Sequence, residues 1–171
     1  MVEAILYHTK CGHTYTYAKA LSTELNIPLY TIRSAKKHLP KKSHIIFMSW
    51  VKENKIVKYS KVCQYCIECV IAVGILPATE ERISIVRTEN QISTALYYLP
   101  GGIRKSRLGI LNRITLKTIE SNLSFKLLDH GLKKEETVAL DAILHNLNYM
   151  DLNALDPIVQ RYKTKSENYV S

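Results

Sequence analysis

The hydrophobic pattern alternates between short apolar runs and longer segments with helical periodicity. The short runs are typical of strands, and they cover residues 4–7, 28–32, 44–48, 69–73 and 96–99. Helical spacing covers 14–25, 57–65, 79–89, 108–123, 135–147 and 153–162, with Thr79 and Asn153 as expected N-caps. Residues 34–39 read as a basic connection. Continuous apolar runs of this length suit central parallel strands.

This alternation predicts the α/β class, with a doubly wound parallel sheet of five strands and helices on both faces. A chain of 171 residues that is 46% hydrophobic can bury a substantial core. Its 5 Pro and 6 Gly argue against long linkers. We therefore expect residues 1–171 to form one domain.

The segment after the first run has the composition of a phosphate-binding turn. Thr9 and Thr14 offer hydroxyl groups, and Gly12 allows a tight turn before a helix whose free amides favour an anion. Lys10 and His13 add cationic partners for a phosphate. The alternative is an ordinary strand-to-helix turn, which uses Gly and Thr for conformational reasons alone.

The net charge of +9 is unevenly distributed. Residues 33–61 contain nine Lys and Arg against one acid, Glu53. A second stretch, 101–119, has no acid and five basic residues: Arg104, Lys105, Arg107, Arg113 and Lys117. Such patches suit nucleic acid, anionic lipid or an acidic protein, or form a solvated basic face.

The predicted helix at 108–123 has more apolar surface than a covering helix needs, since Arg113, Lys117 and Glu120 fall on one narrow stripe. A partner, a second subunit in a homodimer, or an anionic membrane surface would cover it, and so would packing within its own domain. Residues 1–4 lack the basic region with which a signal peptide begins, and the longest apolar stretch, 70–76, is too short to span a bilayer. We expect a cytoplasmic protein, peripheral at a membrane at most.

A second constellation is the run Cys63, Cys66 and Cys69, whose spacing resembles the start of an iron–sulfur site. Only Cys11 remains as a fourth cysteine, and a strand's length of about 17 Å would separate it from Cys69 in a parallel sheet. We therefore predict no metal site. A redox-sensing thiol at Cys63 or Cys66 and a buried thiol at Cys69 remain as alternatives.

Three segments carry a resemblance to known families. "LYHTKCGHTYTYAKAL" resembles the flavin-phosphate loop and first helix of flavodoxin-domain proteins, with matches at Thr9, Gly12, Thr14, Tyr17 and Ala18. "YYLPGGIRKSRLGILNRITLKTI" and "YMDLNALDPIVQRY" resemble late segments of the flavodoxin-like, menaquinone-dependent protoporphyrinogen oxidases. The resemblance implies the flavodoxin-like strand order 2-1-3-4-5, FMN as cofactor, and electron transfer or small flavin oxidoreductase activity with a redox protein or quinone as partner. Nucleic acid is not expected among the partners.

The resemblance also implies which residues hold FMN. The phosphate would lie against one loop, and the isoalloxazine ring between the segments that follow two central strands. The implied cofactor-binding residues are Thr9, Lys10, Cys11, Gly12, His13, Thr14, Ser49, Trp50, Val51, Lys52, Glu53, Gly74, Ile75 and Leu76. Trp50 would stack on the flavin, or it is an ordinary partly buried Trp. Cys11 and His13 depart from the family's loop, and the chain is basic where shuttling flavodoxins are acidic. The alternative function is therefore a flavodoxin-fold protein that has lost FMN and binds through its basic surface.

Overall fold

The computed structural model describes residues 1–103, 106, 110–145 and 147–167. Its parallel strands are β1 (Ala4–His8), β2 (Leu29–Thr31), β3 (His44–Lys52), β5 (Cys66–Gly74) and β6 (Ala95–Pro100), and β4 (Lys55–Ile56) pairs antiparallel with β3. The path through the sheet is β2-β1-β3-β5-β6, with β4 beside β3. The predicted α/β class with a parallel sheet is confirmed. The predicted count of five strands is wrong, because β4 makes a sixth.

The sixth strand arises because β3 does not end at Met48. It continues to Lys52 and returns through a two-residue turn in which Glu53 and Asn54 have φ of 47° and 63°. Positive φ at both central residues is the conformation of tight hairpin turns. Asn90, which follows the third helix, accepts a hydrogen bond from the amide of Ile56 at 2.8 Å. The hairpin is therefore held by the neighbouring helix as well as by β3.

The described helices are α1 (His13–Leu25), α2 (Ile32–His38), α3 (Glu80–Glu89), α4 (Ile110–Asp129), α5 (Lys134–His145) and α6 (Asp156–Glu167). The prediction of a basic connection at 34–39 is wrong, because Thr31 Oγ1 accepts from the amide of Ser34 at 3.1 Å and starts α2. The helix predicted at 57–65 is also wrong. Only a short 3-10 turn, Tyr59–Lys61, forms there.

Side-chain caps explain where two later helices begin. Thr79 caps α3 as predicted, since its Oγ1 accepts from the amide of Arg82 at 3.1 Å. Asn153 does not cap the last helix. Instead, Asp151 Oδ1 accepts from the amide of Asn153 at 3.0 Å and caps the 3-10 turn Leu152–Leu155, which leads into α6.

Buried side chains lie on both faces of the sheet. On one face α1 and α6 pack through Tyr17, Leu21 and Ile158, all with no exposed surface. On the other face α2 and α3 pack through Ala35 and Val86. The predicted arrangement of helices on both faces is therefore confirmed.

A smaller core lies beyond the carboxyl edge of the sheet. There Ile103, Ala142 and Ile143 are buried, and Leu116 of α4 packs against them. The predicted start of α4 at Leu108 and the basic residues Arg104, Lys105 and Arg107 lie outside the described residues. No helix in the described part of the chain is both long and apolar enough to cross a membrane.

Candidate functional site

A cavity of about 240 Å³, called here the first cavity, lies at the carboxyl ends of β1, β3 and β5. The carboxyl ends of parallel strands meet at one edge of a sheet, so the segments that follow these strands converge. Helix α4 closes one side. The lining residues are Thr9, Lys10, Cys11, His13, Thr14, Trp50, Val51, Lys52, Val73, Gly74, Ile75, Gly101, Gly102, Ile103, Leu116 and Ile119.

The loop after β1 presents the start of α1 to this cavity. Gly12 is the N-cap, with a φ of 96° that favours glycine, and no side chain of the described residues caps the helix. The first turn of an α-helix has amides without an intrahelical acceptor, and its dipole is positive at this end. Thr9 Oγ1 accepts from the amide of Gly12 at 3.0 Å, so its own proton remains available to another acceptor.

Two cavity residues combine a charge with an aromatic face. The Lys10 ammonium lies over the Trp50 ring, 5.0 Å from its centroid, which is within the range of a cation–π contact. Trp50 Nε1 is buried and has no acceptor in the described part of the chain. An unsatisfied buried donor of this kind costs about 1–3 kcal/mol.

Glycines shape the opposite wall because larger residues would not fit. A Cβ at Gly74 would lie 1.8 Å from the hydroxyl oxygen of Tyr98. A Cβ at Gly102 would lie 2.6 Å from the carbonyl oxygen of Leu147, which belongs to a backbone that cannot easily move. Gly102 forms an isolated antiparallel bridge with Asn148. The loop after β6 is thereby fixed against the segment that follows α5.

Tyr17 connects the end of β6 to the segment that precedes α6. Its buried hydroxyl donates to the carbonyl oxygen of Pro100 at 2.7 Å and accepts from the amide of Asp151 at 2.8 Å. Tyr17 belongs to α1, whose first turn borders the first cavity. One side chain thus connects α1, the end of β6 and the segment before α6.

The structure brings most of the residues predicted for cofactor binding into the first cavity. Those that line it are Thr9, Lys10, Cys11, His13, Thr14, Trp50, Val51, Lys52, Gly74 and Ile75. Four do not line it. Gly12 caps α1, and Glu53 is in the hairpin turn. Ser49 is buried and donates to the carbonyl oxygen of Val57 at 2.7 Å. Leu76 follows Ile75, the last residue of its segment that lines the cavity.

Sequence reasoning missed one side of the first cavity. Val73, Gly101, Gly102, Ile103, Leu116 and Ile119 line it as well. The sequence Pro100-Gly101-Gly102 after the last strand was an available signal, because that strand ends at the same edge as the others. The excess apolar surface of α4 was a second signal.

The cysteine run lies away from this edge. Cys63 and Cys66 are exposed, and Cys66 starts β5, whereas Cys11 follows the carboxyl end of β1. Cys69 is buried within β5, and burial raises the pKa of its thiol to about 12. Among the described residues, no three His, Cys, Asp or Glu side chains come together as a metal-binding group.

No protein-family model matches the chain, and no curated protein matches it. Among solved structures, the chain is similar to the structure of a flavodoxin from the domain Archaea. The sequence identity is 12%, the TM-score is 0.37, and the match covers 85% of this chain and 98% of that chain. At this level of similarity, a function has to be inferred from the strand order and from the first cavity.

Proposed function

We propose that the chain binds FMN in the first cavity and acts in electron transfer or as a small flavin oxidoreductase. The observation that carries the proposal is the position of the cavity. It lies at the carboxyl end of β1, where the chain first goes to β2 on one side and then to β3 on the other. Such a reversal of strand order is where ligands bind in doubly wound sheets, and FMN binds there in flavodoxin-like ones.

The loop 9–14 suits the phosphate of FMN. The start of α1 has no side-chain cap among the described residues, and the Thr9 hydroxyl can donate while its oxygen accepts from Gly12. Lys10 supplies a positive charge beside the loop. An anion at a helix start gains from both the free amides and the dipole. These features fit a phosphate ester in spite of Cys11 and His13.

The remaining walls suit a flat ring. Trp50 and Val51 border the first cavity on one side, and Gly74 and Ile75 on another. Its volume of about 240 Å³ is below the usual range of about 300–1,000 Å³ for a small-molecule site, so it would hold the ring system while part of the phosphate-bearing tail lay outside it. Trp50 would hold the ring by stacking, and the ring would then displace the Lys10 ammonium group from that face.

The chemistry that FMN supplies when bound is electron and hydride transfer. The chain contributes position and charge. Lys10 and Lys52 line the cavity, and Lys52 Nζ lies 3.8 Å from the Glu53 carboxylate in an exposed pair. Positive charge near the ring stabilises an anionic reduced form. We assign no general base.

Helix α4 suggests how an apolar electron acceptor approaches. Leu116 and Ile119 line the first cavity, while Phe125 and Leu128 are 72% and 87% exposed on the same helix. We propose that α4 contacts an anionic membrane and that a quinone accepts electrons there, with a porphyrinogen as the substrate that the sequence resemblance implies. FMN-loaded protein would then oxidise a porphyrinogen with a quinone acceptor. If FMN-loaded protein lacked that activity, electron transfer to a redox protein would be the proposed function instead.

The central experiment compares FMN with riboflavin, which lacks the phosphate, by equilibrium dialysis. We expect FMN to bind at least about tenfold more tightly, because the loop contributes charge-assisted hydrogen bonds. Thr9→Val should weaken FMN and leave riboflavin unchanged. Thr23→Val is the matched control, since Thr23 is exposed on α1 and outside the cavity.

Equal affinity for FMN and riboflavin would contradict the phosphate assignment. A colourless protein that takes up neither compound would contradict the whole proposal. If such a protein bound an anionic polymer with a steep dependence on salt, the alternative of a basic binding module would replace it.

A further inference from the structure

A second cavity, of about 460 Å³, lies at the carboxyl ends of β1 and β2. It is separate from the first cavity, and Thr9 alone among the described residues lines both. Its walls come from β1, from α2 and from the turn after β4. The lining residues are Tyr7, His8, Thr9, Thr31, Ile32, Arg33, Lys36, Lys58 and Lys61.

The charges of the second cavity are all of one sign. Arg33 and Lys36 are one turn apart on α2, Lys58 precedes the 3-10 turn and Lys61 is its last residue. No carboxylate of the described residues lines the cavity. None of the four cations forms an ion pair with a carboxylate in the described part of the chain, although the nearby Lys55 pairs with Glu89 at 3.5 Å.

The backbone that carries Lys58 has an uncommon conformation. Lys58 has a φ of 66° and a ψ of 13°, which is the left-handed region that few residues other than glycine adopt. The amide of Lys61 donates to the carbonyl oxygen of Lys58 at 3.0 Å, and Tyr59 packs on Phe47 with 6.2 Å between ring centroids. Both lysines are therefore on a turn that is anchored to the core.

The pKa of His8 depends on the positive charge in this region. Burial lowers the pKa of His8 below its ordinary value, and the positive charges of Lys58 and Lys10 lower it further. The charged and titratable groups around it are these two lysines and the second cavity's Tyr7, Arg33, Lys36 and Lys61. A bound anion would offset the positive charge of these cations and would therefore raise the pKa of His8.

We infer that the second cavity binds a small molecule with two or more phosphate groups. Four cations without carboxylate partners in the described structure are more than one phosphate needs, and they converge on a single concavity. The volume is within the range of small-molecule sites and larger than one ion requires. Such a site shares only Thr9 with the FMN phosphate loop, because the helix start and Trp50 do not line it.

The test measures the binding of inorganic pyrophosphate by calorimetry. We expect the double variant Lys36→Gln with Lys58→Asn to bind at least about thirtyfold more weakly than the natural chain, since two charge-assisted contacts are lost. Asn is chosen because it tolerates the left-handed conformation of residue 58. The control is the double variant Lys37→Gln with Lys42→Asn, which removes the same two charges outside the cavity and should leave the affinity within about twofold. Lys37 is on the same helix as Lys36, and Lys42 has a φ of 67°, close to that of Lys58.

Two further results locate the site without relying on the folding of a variant. Pyrophosphate should still bind to protein that is saturated with FMN, and the pKa of His8, followed by NMR, should rise when pyrophosphate binds. Pyrophosphate binding that FMN abolishes, or that leaves His8 unchanged, would overturn the inference. It would also be overturned if an anionic polymer bound while pyrophosphate did not.

Discussion

The two cavities share Thr9 and the end of β1, yet their chemistry differs. The first cavity is lined largely by Trp50, by apolar side chains and by glycines, with two lysines, Lys10 and Lys52, among them. The second is lined by four cations and, among the residues described, by no carboxylate. The comparison shows that one strand end in a parallel sheet can border two sites, because it has a different neighbour on each side.

The neighbouring strands account for the difference. On the β3 side, the strand continues into a hairpin that carries Trp50 and Lys52 past the sheet edge. On the β2 side, the strand leads directly into α2, which Thr31 caps and which has Arg33 and Lys36 on its surface. The walls in which the two cavities differ thus come largely from the segments that follow the neighbouring strands, because Thr9 at the end of β1 is common to both.

The largest effect should come from Gly102→Ala, which adds a methyl group against the backbone at Leu147. We expect the free energy of unfolding to fall by about 1–3 kcal/mol, because overpacking against backbone forces a shift. FMN binding should weaken too, since Gly102 lines the first cavity. Pyrophosphate binding should change little. Urea unfolding and dialysis measure these quantities.

The matched control is Gly131→Asn. Gly131 has a φ of 75°, and no described atom lies within 4 Å of a Cβ built there. Asn tolerates this conformation, so stability should change by less than about 0.5 kcal/mol. If Gly102→Ala were equally mild, the contact between Gly102 and Leu147 would not support the wall of the first cavity.

A smaller effect separates the two cavities by ligand. Trp50→Ala should weaken FMN by about ten- to a hundredfold, as expected when an aromatic stacking partner is lost, and leave pyrophosphate unchanged. The double variant at Lys36 and Lys58 should weaken pyrophosphate binding and leave FMN binding unchanged. Dialysis of both proteins against both ligands gives four affinities. If each variant weakened both ligands, the cavities would have to be treated as one site.

Salt should distinguish the cavities further. When salt rises from about 50 mM to about 200 mM, pyrophosphate affinity should fall several-fold and FMN affinity less, because four cations face one ligand and mainly Lys10 and the helix start face the other. Calorimetry at both concentrations measures the slopes. Equal slopes would argue against the second cavity as the pyrophosphate site.

The smallest effect concerns pH. The folded-state pKa of His8 lies below its ordinary value, so the unfolded chain takes up the proton more readily, and stability falls as pH drops through about 6.5. His8→Gln should reduce this fall, as urea unfolding at about pH 7.5 and about pH 5.5 would show. Pyrophosphate should reduce it in the natural chain. If stability fell more steeply with decreasing pH in His8→Gln than in the natural chain, the pKa of His8 would not be lowered in the folded state.

Local features of the sequence predicted a large part of the sheet. Apolar runs identified the parallel strands, and Gly12 with its flanking threonines identified the start of α1. The hairpin was not predictable in the same way, because the segment 52–55 is polar and reads as a loop. Its strand character depends on pairing with β3 and on Asn90, which is distant in sequence.

The sites show the same limit. The sequence predicted an excess of positive charge in 33–61, but not that Arg33, Lys36, Lys58 and Lys61 would face one cavity. Their convergence depends on α2, whose seven residues have too weak a periodicity to identify. Similarly, Gly102 joins the first cavity through its bridge to Asn148, a contact that only the folded chain creates.

Trp50 has one more consequence, which is spectroscopic. It is the only Trp in the chain, so light emitted by tryptophan comes from a single point in the wall of the first cavity. A flavin near that ring would quench the emission, and displacement of the Lys10 ammonium would change the polarity that the indole senses. A ligand in the second cavity would leave the emission largely unchanged. The protein therefore contains its own optical reporter for the first cavity.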